Sequence, residues 1–228
     1  IPKWLQLNEI VHSGQPAMAV NQQSDGAEFF QEFVTDLFPV SYPAARALAG
    51  ALKLGDARTE VRVLDLAAGS GVWSIALAQA SPSVRVTAVD WSGVLDVTRR
   101  TAEKFGLADR YKFVAGDLME ADFGSGHHVA TLGHILHSEG EGRSRALLKK
   151  VAKALAPGGT IAIAEFLVNE ERTGPPNGLL FAVNMLVGTQ EGDTFSFGEI
   201  AEWLREAGFR DARTIDAPGP SPLILATK

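Results

Sequence analysis

The sequence of 228 residues contains no cysteine, which excludes disulfides, a thiolate nucleophile and any zinc site built on cysteine. It is short of positive charge: 21 Lys and Arg against 27 Asp and Glu leave a net charge of −6. A surface that tracks nucleic-acid phosphates needs the opposite balance, and no basic, aromatic-rich insert is present, so no nucleic-acid partner is expected. No apolar run reaches the roughly 20 residues of a membrane span, and the opening IPKWLQLNEI has no basic-then-apolar leader pattern. No membrane partner and a cytoplasmic setting are the expectations. Repeats and low-complexity stretches are also absent. The sequence opens on Ile1 rather than Met, which leaves room for residues upstream.

What is there is an ordinary globular balance, 46% apolar and 21% charged, enough for one sizeable α/β domain with a helical extension. Residues 1–57 read as that extension and 58–228 as the main domain. In AEFFQEFVTDLF (27–38), Phe29, Phe30, Phe33, Val34 and Leu37 share one helical face. Pro39 and Pro43 are expected to break this helix, with a second one over 44–55 closed by Gly55. QPAMAVNQQSDG (15–26) is polar and loop-like. From Glu60 onward strands and helices alternate: VRVLDLA, VRVTAVD, YKFVAGD, HVATLGHIL (128–136) and TIAIAEFL (160–167) are strands, with a helix expected over 142–155. Near-continuous apolar strands alternating with helices imply a parallel sheet covered on both faces, with ligands past the carboxyl ends of its strands.

The turn after the first strand, Gly69-Ser70-Gly71-Val72-Trp73-Ser74, lets backbone approach a ligand closely. Ser74 replaces the third glycine of a dinucleotide turn, and Asp65 in the strand would repel a pyrophosphate. A cationic amino-acid group, reached through water or backbone, suits Asp65 better. That fits S-adenosylmethionine, which carries an ammonium and a sulfonium but no phosphate. Asp90 closes the second strand and can accept from both ribose hydroxyls, as in NAD sites. Asp117 closes the third and can accept from an adenine amino group, with Leu118 and Met119 over the ring. Each Asp alone has a plainer reading as a solvated loop residue or a helix cap. An NAD-dependent oxidoreductase fits Asp65 and Ser74 badly, and no Tyr-x-x-x-Lys pair follows.

VLDLAAGSG, AVDWSGV, VAGDLME and ALAPGGTIAIAEF together resemble the class I S-adenosylmethionine-dependent methyltransferases over roughly residues 60–228. Ala67 stands where their first motif carries its first glycine. The resemblance implies a Rossmann-like, doubly wound, seven-stranded, mostly parallel sheet with helices on both faces. It implies a cofactor site at Asp65, Ala67, Gly69, Gly71, Asp90 and Trp91, continuing through Gly116, Asp117, Leu118, Met119 and Gly133. ATLGHILHSEGEG resembles the small-molecule O-methyltransferases of the caffeate and polyketide type, in which a His in the pattern LHDW is the general base. His137 falls on that position, while Ser138 and Glu139 replace Asp and Trp. The chemistry is consistent: a phenol with a pKa of about 10 is a weak nucleophile until an imidazole of about 6.5 takes its proton.

Glu165 matches a family Glu that holds the catalytic His. A second family Glu aligns with Thr194, and adjacent Asp193 is the expected stand-in. The resemblance places the acceptor pocket in residues 169–197, with Phe181, Asn184 and Met185, together with His134, Met18 and Tyr42. Such a lining suits a small aromatic or polyketide-like acceptor, although packing alone would also explain Phe181 and Met185. His127, His128, His134 and His137 lack a completing carboxylate pattern, so no metal is expected. Family members carry an N-terminal winged-helix dimerisation domain, of which at most the tail lies in residues 1–57; a homodimer is expected where the full-length chain has it. The same scaffold also serves carbon, nitrogen and sulfur acceptors, or a domain that binds the cofactor without catalysis.

Overall fold

A computed structural model describes the backbone of residues 2–20 and 23–228 and the side chains of 3–20, 29–31 and 33–228. Two helices come first, α1 (Leu7–Ser13) and α2 (Gln23–Ala51). The alternation then runs β1 (Val61–Leu66), α3 (Val72–Ala80), β2 (Val84–Asp90), α4 (Ser92–Lys104), β3 (Tyr111–Ala115), β4 (His127–Gly133), α5 (Leu136–Ala154) and β5 (Leu155–Ala164). A two-stranded sheet of β6 (Leu167–Val168) and β7 (Phe195–Ser196) brackets α6 (Pro176–Gly188), and α7 (Phe197–Glu206), β8 (Arg210–Ile215) and β9 (Leu223–Thr227) complete the fold.

The main sheet has seven strands in the order β3-β2-β1-β4-β5-β9-β8. β1 to β5 pair in parallel, and β9 joins β5 and β8 antiparallel. This is the doubly wound, mostly parallel sheet that the resemblance implies. Leu64, Leu66, Ile161 and Ile163 pack under Leu147, Leu148 and Trp203 of α5 and α7 on one face. Val63, Val86 and Val129 pack under Ala45 and Leu48 of α2 and Ile75 and Leu77 of α3 on the other. Strand order reverses between β1 and β4, and in such sheets the crevice at that reversal is where ligands bind. No helix among the described residues is long and apolar enough to cross a membrane.

Two expectations are corrected. Pro39 and Pro43 do not divide the N-terminal helix, because α2 runs unbroken through both. A proline within a helix loses one backbone bond and costs about 3 kcal/mol. Here the loss is offset by packing on both sides of the prolines. Phe38 stacks on Tyr42 and Phe105 with centroids 5.4 and 5.5 Å apart, and Ala44, Ala45, Leu48 and Ala49 are buried. Of the polar stretch 15–26, residues 21 and 22 lie outside the described residues, and α2 already begins at Gln23.

The second correction concerns the segment after β4. The strand stops at Gly133, and α5 starts at Leu136 rather than 142, with a break at Gly140 (φ 71°, ψ 172°). Ile135 supplies no side-chain cap. Instead Glu165, just past β5, accepts the backbone N–H groups of Leu136 (2.7 Å) and His137 (3.3 Å). A carboxylate from a neighbouring strand thus satisfies donors that a helix start leaves unpaired, and its charge suits the helix N-terminus.

Candidate active site

At the strand reversal lies a cavity of about 700 Å³. One end is formed by the turns after β1, β2 and β3. Ala67 and Gly69 both have positive φ (49° and 56°), curling the chain around the mouth of the cavity. Asp90 Oδ2 accepts the Gly69 N–H at 2.9 Å and Oδ1 accepts the Trp91 N–H at 2.7 Å. Each oxygen keeps a lone pair, so the group retains the two acceptors a vicinal diol needs. Asp90, Trp91, Gly116, Asp117 and Leu118 all line this end. The Trp91 ring meets Phe30 of α2 at 6.2 Å, so the aromatic face of α2 closes the same end from above.

Burial pushes the Asp90 carboxyl up to about 6, against the pull of its two N–H bonds, and the nearby Asp65 charge adds to the rise. A ligand that needs this carboxylate ionised would therefore bind more weakly as the pH falls through 6. Titration with S-adenosylhomocysteine is expected to show roughly tenfold weaker binding at pH 5 than at pH 7. In Asp90→Asn affinity should be lower and nearly flat with pH; an unchanged slope in that variant would remove Asp90 from the site.

Several expected cofactor and acceptor residues stand elsewhere. Asp65 is 0% exposed and is not in the cavity wall. It accepts hydrogen bonds from the Ser74 and Thr131 hydroxyls, tying β1 to α3 and β4, and burial pushes its carboxyl up to about 6. Ser74, read as a missing glycine, is thus the partner of Asp65. Gly71 caps α3 at φ 75° beside Thr98, behind the wall. Met119 packs against the core, with its N–H held by Asp117 Oδ1 at 2.7 Å. Tyr42 faces α3, where its hydroxyl donates to Gln79 at 2.6 Å, and Met18 accepts from Lys3 at 3.4 Å outside the lining. Gly133 is in the lining, and its bare Cα lets the Trp73 indole approach so closely that a Cβ would overlap the ring nitrogen.

The other end holds the candidate base. His137 Nδ1 lies 2.7 Å from Glu165 Oε2, with the two residues 9% and 2% exposed. Burial alone would raise the Glu165 carboxyl, but the His137 charge and hydrogen bonds outweigh it and hold the group below the usual range. An ionised Glu165 can only accept, so in the neutral imidazole Nδ1 carries the hydrogen and Nε2 is left with a lone pair. The Phe181 ring stands edge-on to His137 at 4.8 Å, and Phe166 packs on Phe181 at 4.2 Å. His134, at φ 61°, contacts Ser221 Oγ through Nε2 at 3.0 Å. Burial lowers its pKa to about 4, so it is neutral at physiological pH. Asn184 and Met185 also face the cavity, and Asn184 Oδ1 accepts from Trp4 Nε1 at 2.7 Å.

Asp193 does not replace the second orienting carboxylate. Its side chain pairs with Arg172 at 3.2 Å, and only its backbone N–H reaches the His137 carbonyl, at 2.9 Å. Thr194 is buried, and its hydroxyl has no hydrogen-bond partner among the described residues. Glu165 is thus the carboxylate that meets the His137 ring. His127 and His128 are committed to Phe123 and Arg62 backbone groups, and no metal-holding cluster of three or more His, Cys, Asp or Glu occurs among the described residues. The sequence reading missed Phe166, Trp73, Lys3 and Trp4 in the wall. Phe166 carried a usable signal, since it follows the strand-ending Glu165; the other three had none.

Known proteins with this arrangement identify its lineage. The family model described as "O-methyltransferase domain" matches residues 13–210. A 3-hydroxy-5-methyl-1-naphthoate 3-O-methyltransferase from Streptomyces sahachiroi is 32% identical over 235 residues, covering 100% of this chain and 66% of the relative. A tetracenomycin polyketide synthesis 8-O-methyl transferase from Streptomyces glaucescens is 28% identical, covering 100% of this chain and 67% of its own length. Among solved structures, a candidate O-methyltransferase from Nostoc punctiforme superposes with a TM-score of 0.90 at 28% identity, over 100% of this chain and 68% of that one. The chain thus spans about two thirds of the length of the relatives it matches. With the cavity at the strand reversal and the His–Glu pair beside it, the match across residues 13–210 makes this chain a member of the O-methyltransferase domain family.

Proposed function

We propose that the chain transfers a methyl group from S-adenosylmethionine to a hydroxyl of a small aromatic, polyketide-like molecule. The observation that carries this reading is the His137–Glu165 pair, opening on an aromatic wall in the same cavity whose other end presents Asp90 and Asp117. The residues at that end fit the cofactor. Asp90 would offer two acceptors to the ribose hydroxyls, Asp117 and Leu118 would flank the base, and the curled Ala67–Gly69 backbone would admit close approach. When bound, S-adenosylmethionine supplies an electrophilic methyl group on a sulfonium.

The chain's own part is to raise the nucleophilicity of the acceptor and to align it. His137 Nε2 accepts the hydroxyl proton, and Glu165 stabilises the imidazolium that results. Phe166 and Phe181 pack a flat acceptor against the base and keep water out, so positioning and desolvation provide much of the remaining acceleration. The acceptors named for the Streptomyces relatives, a naphthoate and a tetracenomycin polyketide, support an aromatic class here.

The test is to incubate the protein with S-adenosylmethionine and a panel of naphthols, hydroxynaphthoates and matching aryl thiols and anilines, following methylated product by mass spectrometry. Methyl ethers are the expected product. Transfer to the thiols or anilines alone would show the acceptor atom to be wrong. The exposed apolar side chains Leu5, Val11, Leu180 and Leu186 support a homodimer in a protein that carries the dimerisation domain, which sedimentation would test.

A further inference from the structure

The carboxylates of Asp117 and Glu139 share one guanidinium. Arg143 Nη2 donates to Asp117 Oδ1 and Oδ2 at 3.2 and 3.0 Å, and Arg143 Nε donates to Glu139 Oε2 at 2.6 Å. Both acids line the cavity beside Gly116 and Leu118, and Arg143 stands behind them, outside the lining. Glu139 takes the place of the aromatic residue in the LHDW pattern, so it puts a charge where a ring would only stack. It sits deep, with its side chain 7% exposed, whereas Arg143 is 41% exposed. The guanidinium thus reaches in from solvent and fixes two acids on one wall.

We propose that Arg143 and Glu139 set which purine the cofactor end of the cavity takes, by keeping its wall acceptor-only, so that a 6-amino base is taken and a 6-oxo base refused. The inference rests on the reading of Asp117 as the partner of the adenine amino group. An ionised carboxylate has acceptors and no donor. At position 6 adenine presents an N–H to it, whereas hypoxanthine presents a carbonyl oxygen and carries its hydrogen on N1 instead, so the acceptors facing position 6 are left unpaired on binding. Sites built to bond a donor reject analogues that lack it far more strongly than apolar pockets reject a change of size. The Arg143 fork holds both acids on one cation, which offsets the repulsion between them. Burial holds the Glu139 carboxyl above its usual range and the charge of Asp117 adds to the rise, while the bond and charge of Arg143, with the charge of His137, work against it. Arg143 is therefore a positioning residue: it acts on the base through Asp117 and Glu139.

Calorimetric titration of the whole chain with S-adenosylhomocysteine and with S-inosylhomocysteine, its 6-oxo analogue, tests this. The wild type is expected to prefer the adenine ligand by about 100-fold or more. Arg143→Ala is expected to lose about tenfold for S-adenosylhomocysteine and nothing for the analogue, so that the ratio falls by about tenfold. Arg143→Lys, which keeps the charge but cannot fork between two carboxylates, should give an intermediate ratio. Glu139→Gln, which places an amide donor on the wall, should also lower it, and these two carry the test if the alanine variant does not fold. Equal weakening of both ligands would show that Arg143 only braces the fold, and an unchanged ratio in every variant would equally overturn the proposal. Binding of neither ligand by the wild type would overturn the cofactor reading together with this one.

Discussion

His137→Ala is expected to lower kcat/KM for a naphthol acceptor by about 10³-fold at pH 7, with the affinity for S-adenosylhomocysteine changed less than twofold. The asymmetry follows from the geometry. His137 lies at the Phe166 and Phe181 end, whereas Asp90 and Asp117, proposed to read the ribose and base, hang on other turns. Without the imidazole, the acceptor must enter as the small fraction already ionised, roughly one molecule in a thousand for a phenol at pH 7. The residual rate should then climb about tenfold per pH unit toward the acceptor's own pKa, a rise the wild type does not need. A variant as active as the wild type at pH 7, or one whose loss does not shrink as pH rises, would show that His137 is not the base. Truncation of a buried side chain carries its own stability cost, so the comparison belongs with a melting curve for each protein.

The second large effect is expected at Glu165, because this carboxylate does two things that an amide cannot do together. Its Oε1 accepts the Leu136 and His137 backbone N–H groups, and its Oε2 accepts from His137 Nδ1. In Glu165→Gln one of those positions must become an NH₂. If the NH₂ faces the backbone, the start of α5 keeps donors against a donor, a loss of about 1–3 kcal/mol per buried group. If it faces the ring, Nδ1 must accept, Nε2 then carries the hydrogen, and the base points its proton at the substrate. Either orientation also removes the negative charge that stabilises the imidazolium. A fall in kcat of about 10²-fold or more is expected, with KM for the acceptor little changed. Glu165→Asp, which keeps the charge on a shorter arm, should recover part of the rate. Full activity in Glu165→Gln would mean that the His137 orientation comes from elsewhere, and the Thr194 hydroxyl, without a partner among the described residues, gives no such candidate.

The alternation from Val61 onward is legible in the sequence because strands buried on both faces must be apolar along their length. β1, with four of its six residues buried, shows the consequence. Asp90 and Asp117 are legible for a related reason, since each closes an apolar run, whereas His137 and Glu165 are legible through the resemblance of ATLGHILHSEGEG and ALAPGGTIAIAEF to a known family. Other features depend on partners distant in sequence. The cap of α5 comes from a residue 29 positions beyond Leu136, and the Arg143 fork joins Glu139 to an acid 26 positions before the arginine. Asp65 obeyed the strand-end rule only in appearance, since it lies one residue before the end of β1 and points into the sheet toward Ser74 and Thr131. Pro39 and Pro43 were misread because local chain stiffness was weighed without the aromatic stacking and alanine packing that offset it.

β9 occupies an inner position of the main sheet, between β5 and β8, although it follows every other strand in sequence. On the ribosome, then, the edge of β5 emerges with its hydrogen-bonding groups unmatched, and β8 emerges with no neighbour at all. Both must wait for Leu223, Ile224, Leu225 and Ala226, each at most 1% exposed once placed. Until those residues leave the exit tunnel, the nascent polypeptide carries an open, apolar strand edge, the kind of surface that chaperones shield and that pairs wrongly with other chains. Formation of the site is thereby tied to the arrival of β9, because the β4–β5 layer that borders His137 and Glu165 is closed on its far side by that strand.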